Sequence, residues 1–138
     1  MIDRRKFVLF AAGLLGAAAL HAAEPANRIV LQVSDEGEKK WNAVLGNVRN
    51  IQTEVGKDKI AIEVVAYGAG LDMLTADSLV ANRVEEAMAE GVRFVACGNT
   101  MKRRQLGKDD LVAGVEVAQA GIVRLMQRQQ QGWAYVRP

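Results

Sequence analysis

Short runs of β-branched and aromatic residues at 28–34 (RIVLQVS), 59–66 (KIAIEVVA), 92–97 (VRFVAC), 114–117 (GVEV) and 133–136 (WAYV) are separated by stretches with room for a helix. That alternation constrains the fold more than any other feature of the chain. Antiparallel neighbours need only a tight turn, whereas parallel neighbours need a crossover of a dozen or more residues. Such crossovers are right-handed and lay their helices on the faces of the sheet. The spacing therefore predicts an α/β fold, a three-layer α/β/α sandwich with a mostly parallel five-stranded sheet.

The connecting segments carry the matching periodicity. Trp41, Val44, Leu45, Val48, Ile51 and Val55 recur at helical spacing, with residues 34–37 as a start signal and Gly56 as a stop. Ala76, Leu79, Val80, Val84, Ala87 and Met88 mark a second helix that begins near Asp77 and ends at Gly91. A short third helix is expected from Asn99 or Thr100, either a good N-cap, to about Leu106, with a turn at 109–111. Ala118, Gly121, Ile122, Leu125 and Met126 line the apolar face of a last helix that runs to Gly132.

In sheets of this kind ligands bind beyond the carboxyl ends of the strands. The segments leaving those ends are 34–37, 67–71, 97–100 and 119–121, and one of them begins with Cys97, the only cysteine in the chain. A thiol at a strand-to-helix junction faces unpaired N–H groups and the positive end of a helix dipole. Here Lys102, Arg103 and Arg104 follow in the first turns, and all of these favour thiolate over thiol. The backbone around Gly98, Asn99 and Thr100 is suited to hold an anion, Arg103 to attract one, and Tyr67 and Gly68 to border the same edge. Each feature also has a structural reading. Cysteine is often a small core hydrophobe, a basic run is often solvated helix surface, and Tyr67 suits a core or subunit contact. The turn at 67–71 lacks both a G-x-G-x-x-G fingerprint and a P-loop lysine.

Composition removes several classes of chemistry. The single histidine is His21, so downstream of it there is no Ser-His-Asp triad, no Cys-His dyad and no histidine metal site. One cysteine excludes a C-x-x-C redox pair, an intramolecular disulfide and a cysteine-held zinc or iron–sulfur centre. No metal and no cofactor is expected.

The N-terminus reads as a separate object. Arg4, Arg5 and Lys6 precede an apolar stretch at 7–20, and small residues Ala22 and Ala23 precede Glu24-Pro25. This is the pattern of a cleaved signal peptide at residues 1–23, followed by a single domain at 24–138; an uncleaved anchor is the alternative. The arginine pair followed by Lys6-Phe7-Val8 resembles a twin-arginine export signal. Export implies a periplasmic protein with no membrane attachment after cleavage. The leader holds three of the 18 basic residues and one of the 16 acidic ones, which leaves fifteen of each. A neutral domain offers no global field for nucleic acid or an anionic membrane.

The motif Cys97-Gly98-Asn99-Thr100, with VVAYGAGL at 64–71 upstream and the segment at 114–138 ending in Gln-Gly-Trp-Ala-Tyr-Val-Arg-Pro, resembles the DsrE/DsrF-like sulfur-relay family. The resemblance implies an α/β/α sandwich with a five-stranded parallel sheet, assembly into homotrimers or homohexamers, and a role for Cys97 in carrying sulfane sulfur as a persulfide between donor and acceptor partners. Two other readings remain open. One is a non-enzymatic oligomeric module that binds a small anion or a protein, with a structural cysteine. The other is a redox sensor that forms an intermolecular disulfide.

Overall fold

The computed structural model describes residues 23–138, so the expected leader lies outside the described residues apart from Ala23. The elements follow in the order β1 (Asn27–Val33), α1 (Glu38–Val55), β2 (Ile60–Ala66), α2 (Ala81–Ala89), β3 (Arg93–Cys97), α3 (Gly98–Arg103), β4 (Glu116–Ala118), α4 (Gly121–Gln130) and β5 (Ala134–Val136). Short 3-10 turns occupy Lys57–Lys59, Gly68–Leu74 and Lys108–Asp110. The strands form one sheet in the order β4-β3-β2-β1-β5, with every neighbouring pair parallel.

This order explains the unequal faces of the sheet. From β1 to β4 the chain steps outward in one direction, so right-handed crossovers lay α1 and α2 on the same face. The return from β4 to β5 spans the sheet and carries α4 over the other face. Strand residues divide accordingly. Leu31, Val33, Ile62, Val64, Ala66, Phe94 and Ala96 join Trp41, Val44, Leu45, Val48 and Val84 in the larger core. Val30, Val65 and Val95, one residue out of phase, form a smaller cluster with Leu125 and Trp133 beneath α4, against which Ala61, Tyr67 and Ala118 pack. Trp41 anchors α1 and donates its indole N–H to the Asp35 carbonyl at 3.0 Å.

Four expectations change in detail. The second helix starts at Ala81, not near Asp77, because residues 74–76 are held by a distant segment: the Ala76 N–H donates to the Asp110 carbonyl and the Val112 N–H to the Leu74 carbonyl, each at 2.9 Å. Leu79, assigned to the apolar face, is consequently 77% exposed. The residue at the start of α3 is Cys97 itself, with Asn99 and Thr100 inside the first turn. The fourth strand lies at Glu116–Ala118 rather than 114–117, which places Ala118 beside Cys97 in register. On α4 only Gly121 and Leu125 are buried, whereas Ile122 (61% exposed) and Met126 (48%) look outward. Among the described residues no helix is long and apolar enough to cross a membrane.

Candidate functional site

Cys97 ends β3 on the α4 side of the sheet, and its residue is only 6% exposed. Three loops meet around it. The first follows β2: the Tyr67 N–H donates to the Val33 carbonyl at 3.1 Å, and the chain then turns at Gly68 (φ 56°). Gly70 in this turn touches the end of β1 so closely that a Cβ would lie 2.3 Å from the Val33 carbonyl oxygen. Gly70 is therefore required by the close approach of the chain's own backbone.

The second loop is the start of α3. Thr100 is buried, and its hydroxyl accepts the Gly68 N–H at 3.0 Å, tying the first loop to the second. The third loop joins β4 to α4. The Asn99 N–H donates to the Gln119 carbonyl at 2.9 Å, and the Gln119 side-chain amide donates to Asn99 Oδ1 at 2.8 Å, a reciprocal clasp. Two glycines permit this closeness. A Cβ on Gly98 would lie 3.4 Å from the Ala118 carbonyl oxygen, and one on Gly121 would lie 3.3 Å from both the Cys97 and Tyr67 Cβ atoms.

Burial alone pushes the Cys97 thiol up, because a thiolate loses its hydration there. The hydrogen bonds aimed at sulfur outweigh that penalty. The Gly121 N–H, the Thr100 hydroxyl and N–H, and a share of the Asn99 N–H hold the thiol below its ordinary value. The Asn99 N–H is directed mainly at the Gln119 carbonyl, so Gly121 and Thr100 carry most of the effect. The arrangement stabilises an anion on sulfur with dipoles alone, and would equally stabilise the outer sulfur of a persulfide if it occupied the same position.

Of the residues singled out from sequence, Cys97, Gly98, Asn99, Thr100, Tyr67 and Gly68 come together. Arg103 is exposed on α3 and makes no hydrogen bond or ion pair among the described residues, while Arg104 is paired with Asp72. Gly121 was missed as a site residue, although 119–121 was recognised as an edge segment. A glycine that opens a helix after a strand end was the available signal. Among the described residues no cluster of three or more His, Cys, Asp or Glu is arranged to hold a metal ion.

A second polar assembly lies on the same face. Glu63, in the middle of β2, is fully buried. Arg124 donates to it in bidentate fashion, Nε to Oε1 at 2.6 Å and Nη2 to Oε2 at 3.0 Å. Arg128 donates to Oε2 through Nη2 at 2.6 Å and Nε at 3.0 Å, while its guanidinium stacks 4.5 Å from the Trp133 ring centroid. Burial raises the Glu63 carboxyl, but the two arginines outweigh it and hold the group below the usual carboxylate range.

Comparison with known proteins agrees with this architecture. A model of the DsrE/DsrF-like family matches residues 17–138. Among solved structures, the protein of unknown function MTH1491 from Methanobacterium thermoautotrophicum is 38% identical with a TM-score of 0.78, over 81% of this chain and 99% of that one. BT1422 from Bacteroides thetaiotaomicron is 15% identical with a TM-score of 0.69, over 86% and 100% of the two chains. The ychN protein of E. coli is 15% identical with a TM-score of 0.64, over 81% and 99%. The last two likenesses are of fold alone. No curated protein matches the chain.

Proposed function

The chain belongs to the DsrE/DsrF-like family, and from that membership we propose that it is a periplasmic sulfur carrier that holds sulfane sulfur as a persulfide on Cys97. The observation that carries the reading is the placement of one lone thiol at the end of β3, where the Gly121 backbone packs against the Cys97 Cβ and buried Thr100 ties the two neighbouring loops together, so that the surrounding polar groups hold it below its ordinary value. The Cys97 thiolate attacks the sulfane sulfur of a persulfide or polysulfide donor. A sulfur–sulfur bond forms to Cys97, the donor's sulfur–sulfur bond breaks, and the remainder leaves as a thiolate from a persulfide or as a shorter polysulfide or hydrosulfide anion from a polysulfide, so no external oxidant is needed. An acceptor thiolate then attacks the outer sulfur and returns Cys97 to its starting state. With no second cysteine in the chain, no intramolecular disulfide discharges the adduct.

The basic and apolar leader supports the periplasmic location. The outward side of α4, where exposed Ile122 and Met126 border one groove with Tyr135, supports assembly of copies through that face. Burial of the thiol favours the alternative, an oligomeric binding module in which Cys97 is structural.

Intact mass spectrometry of the purified protein before and after polysulfide, with Cys97→Ser as control, decides between them. The carrier gains sulfur in 32-dalton steps only when Cys97 is present, and reductant removes it. A folded protein that takes up no sulfur and resists small alkylating agents refutes the carrier and supports the module.

A further inference from the structure

The sulfur chemistry makes no direct use of Glu63, yet it is the one fully buried carboxylate among the described residues. Its surroundings are complete on all sides. From α4 it takes Arg124 and Arg128; from β3, Arg93 Nη1 stands 3.8 Å from Oε2; Arg93 is in turn bound by both oxygens of Glu116 on β4, at 2.9 Å each. On the β1 side its neighbour in register is Val30. The carboxylate is thus the point at which α4 is bolted to the sheet. Otherwise α4 meets the sheet chiefly through Leu125, with Trp133 just beyond its end.

The same helix opens at Gly121, whose backbone packs so closely on the thiol residue that a Cβ there would lie 3.3 Å from the Cys97 Cβ, and whose N–H is among the groups that hold the thiol down. Arg124 is one turn from that end and Arg128 two, so the bolt fixes both the height and the rotation of the helix start. We propose that Glu63 is a positioning residue for Cys97: by gripping Arg124 and Arg128 it holds α4 at the depth where the Gly121 N–H meets the sulfur. This rests on the sulfur-carrier reading only for its purpose; the coupling itself is a property of the thiol.

Position and direct charge make opposite predictions. Removing the negative charge of Glu63 by itself favours a nearby anion and lowers the Cys97 pKa. Loosening α4 withdraws a donor from sulfur and raises it. The experiment is the pH dependence of Cys97 alkylation by iodoacetamide in the full-length, folded protein, comparing the parent with Glu63→Gln and Arg124→Lys. The lysine variant keeps the charge but loses the two-pronged grip.

Both variants are expected to raise the midpoint by about one unit, which is roughly a tenfold loss of thiolate at pH values well below it. An unchanged or lowered midpoint in folded Glu63→Gln overturns the proposal. If Glu63→Gln does not fold, Arg124→Lys decides alone, and an unchanged midpoint there overturns it. Sulfur uptake by the parent protein is scored separately. Failure of uptake with a raised variant midpoint removes the carrier function and leaves the positioning role standing.

Discussion

Replacing Thr100 by valine tests the site with almost no change of shape. The hydroxyl accepts the Gly68 N–H at 3.0 Å and is among the groups that hold the Cys97 thiol below its ordinary value. A hydrogen bond to a charged group contributes about 1.5–3 kcal/mol. At about 1.36 kcal/mol per pKa unit that corresponds to about one to two units. Because Gly121 and the Thr100 N–H remain, the low end applies, a rise of about one unit. Well below the midpoint the thiolate fraction falls roughly tenfold. A more basic thiolate is a better nucleophile, with a Brønsted coefficient of about 0.4–0.5, which restores about a factor of three. The net expectation is a roughly threefold slower alkylation below the midpoint, together with a midpoint about one unit higher. The same change orphans the Gly68 N–H and costs about 1–3 kcal/mol of stability. Thermal melting and a pH series of iodoacetamide rates measure the two effects, and Thr100→Ser should restore both. A Thr100→Val protein with an unshifted thiol midpoint would refute the argument that this hydroxyl activates Cys97.

Further expectations follow from the packing and the ion pairs. Gly70→Ala sets a Cβ 2.3 Å from the Val33 carbonyl oxygen, a collision with backbone that cannot rotate away, and should cost at least about 2–3 kcal/mol in denaturant unfolding. Glu63, held below the usual carboxylate range, contributes stability that is complete above the unfolded-state value and is lost as pH falls through the folded one. Glu63→Gln should therefore be less stable at neutral pH by about 3–5 kcal/mol, with a flatter acid limb in urea titrations from pH 7 to 3. Ile122→Glu combined with Met126→Glu places two charges on the exposed strip of α4 and should dissociate any assembly formed there, read by light scattering; an unchanged mass would exclude that face as the contact.

The inner strands β1, β2 and β3 were legible because burial on both faces writes itself as short apolar runs, and the helix ends because Gly56, Gly91 and Gly132 stop the periodic segments. What was not legible depends on partners distant in the chain. Residues 76–80 carry a helix-like pattern, but the chain entering them is held by residues 110–112 through backbone bonds to Leu74 and Ala76, so the pattern is overruled. The stripe through Ile122, Leu125 and Met126 reports an apolar helix face without saying how much of it the chain's own sheet will cover, and the sheet takes only Leu125. The edge residues of the site could be found because parallel topology brings all strand ends to one rim. The donor from Gly121 could not, since it depends on how deeply α4 sits. The Glu63 clamp left a signal that went unread: one acid inside IAIEVVA, with Arg124 and Arg128 four residues apart on a late helix.

Activation of Cys97 by fixed dipoles has a consequence that separates it from thiols activated by a base. A Cys-His pair titrates twice, and its rate is bounded by two ionisations. Here the groups that lower the thiol are amide N–H groups and a hydroxyl, none of which gains or loses a proton near neutrality, and the chain's only histidine is His21, outside the described residues. The alkylation rate should therefore rise once with pH, through a single midpoint below the ordinary thiol value of about 8.5, and stay level above it. Salt should move that midpoint little, because the donors touch the sulfur and Arg103, the nearby cation with no ion pair among the described residues, points to solvent. A second ionisation in the profile, or a midpoint that climbs steeply with ionic strength, would mean that a mobile charge rather than the Gly121 and Thr100 donors activates the thiol.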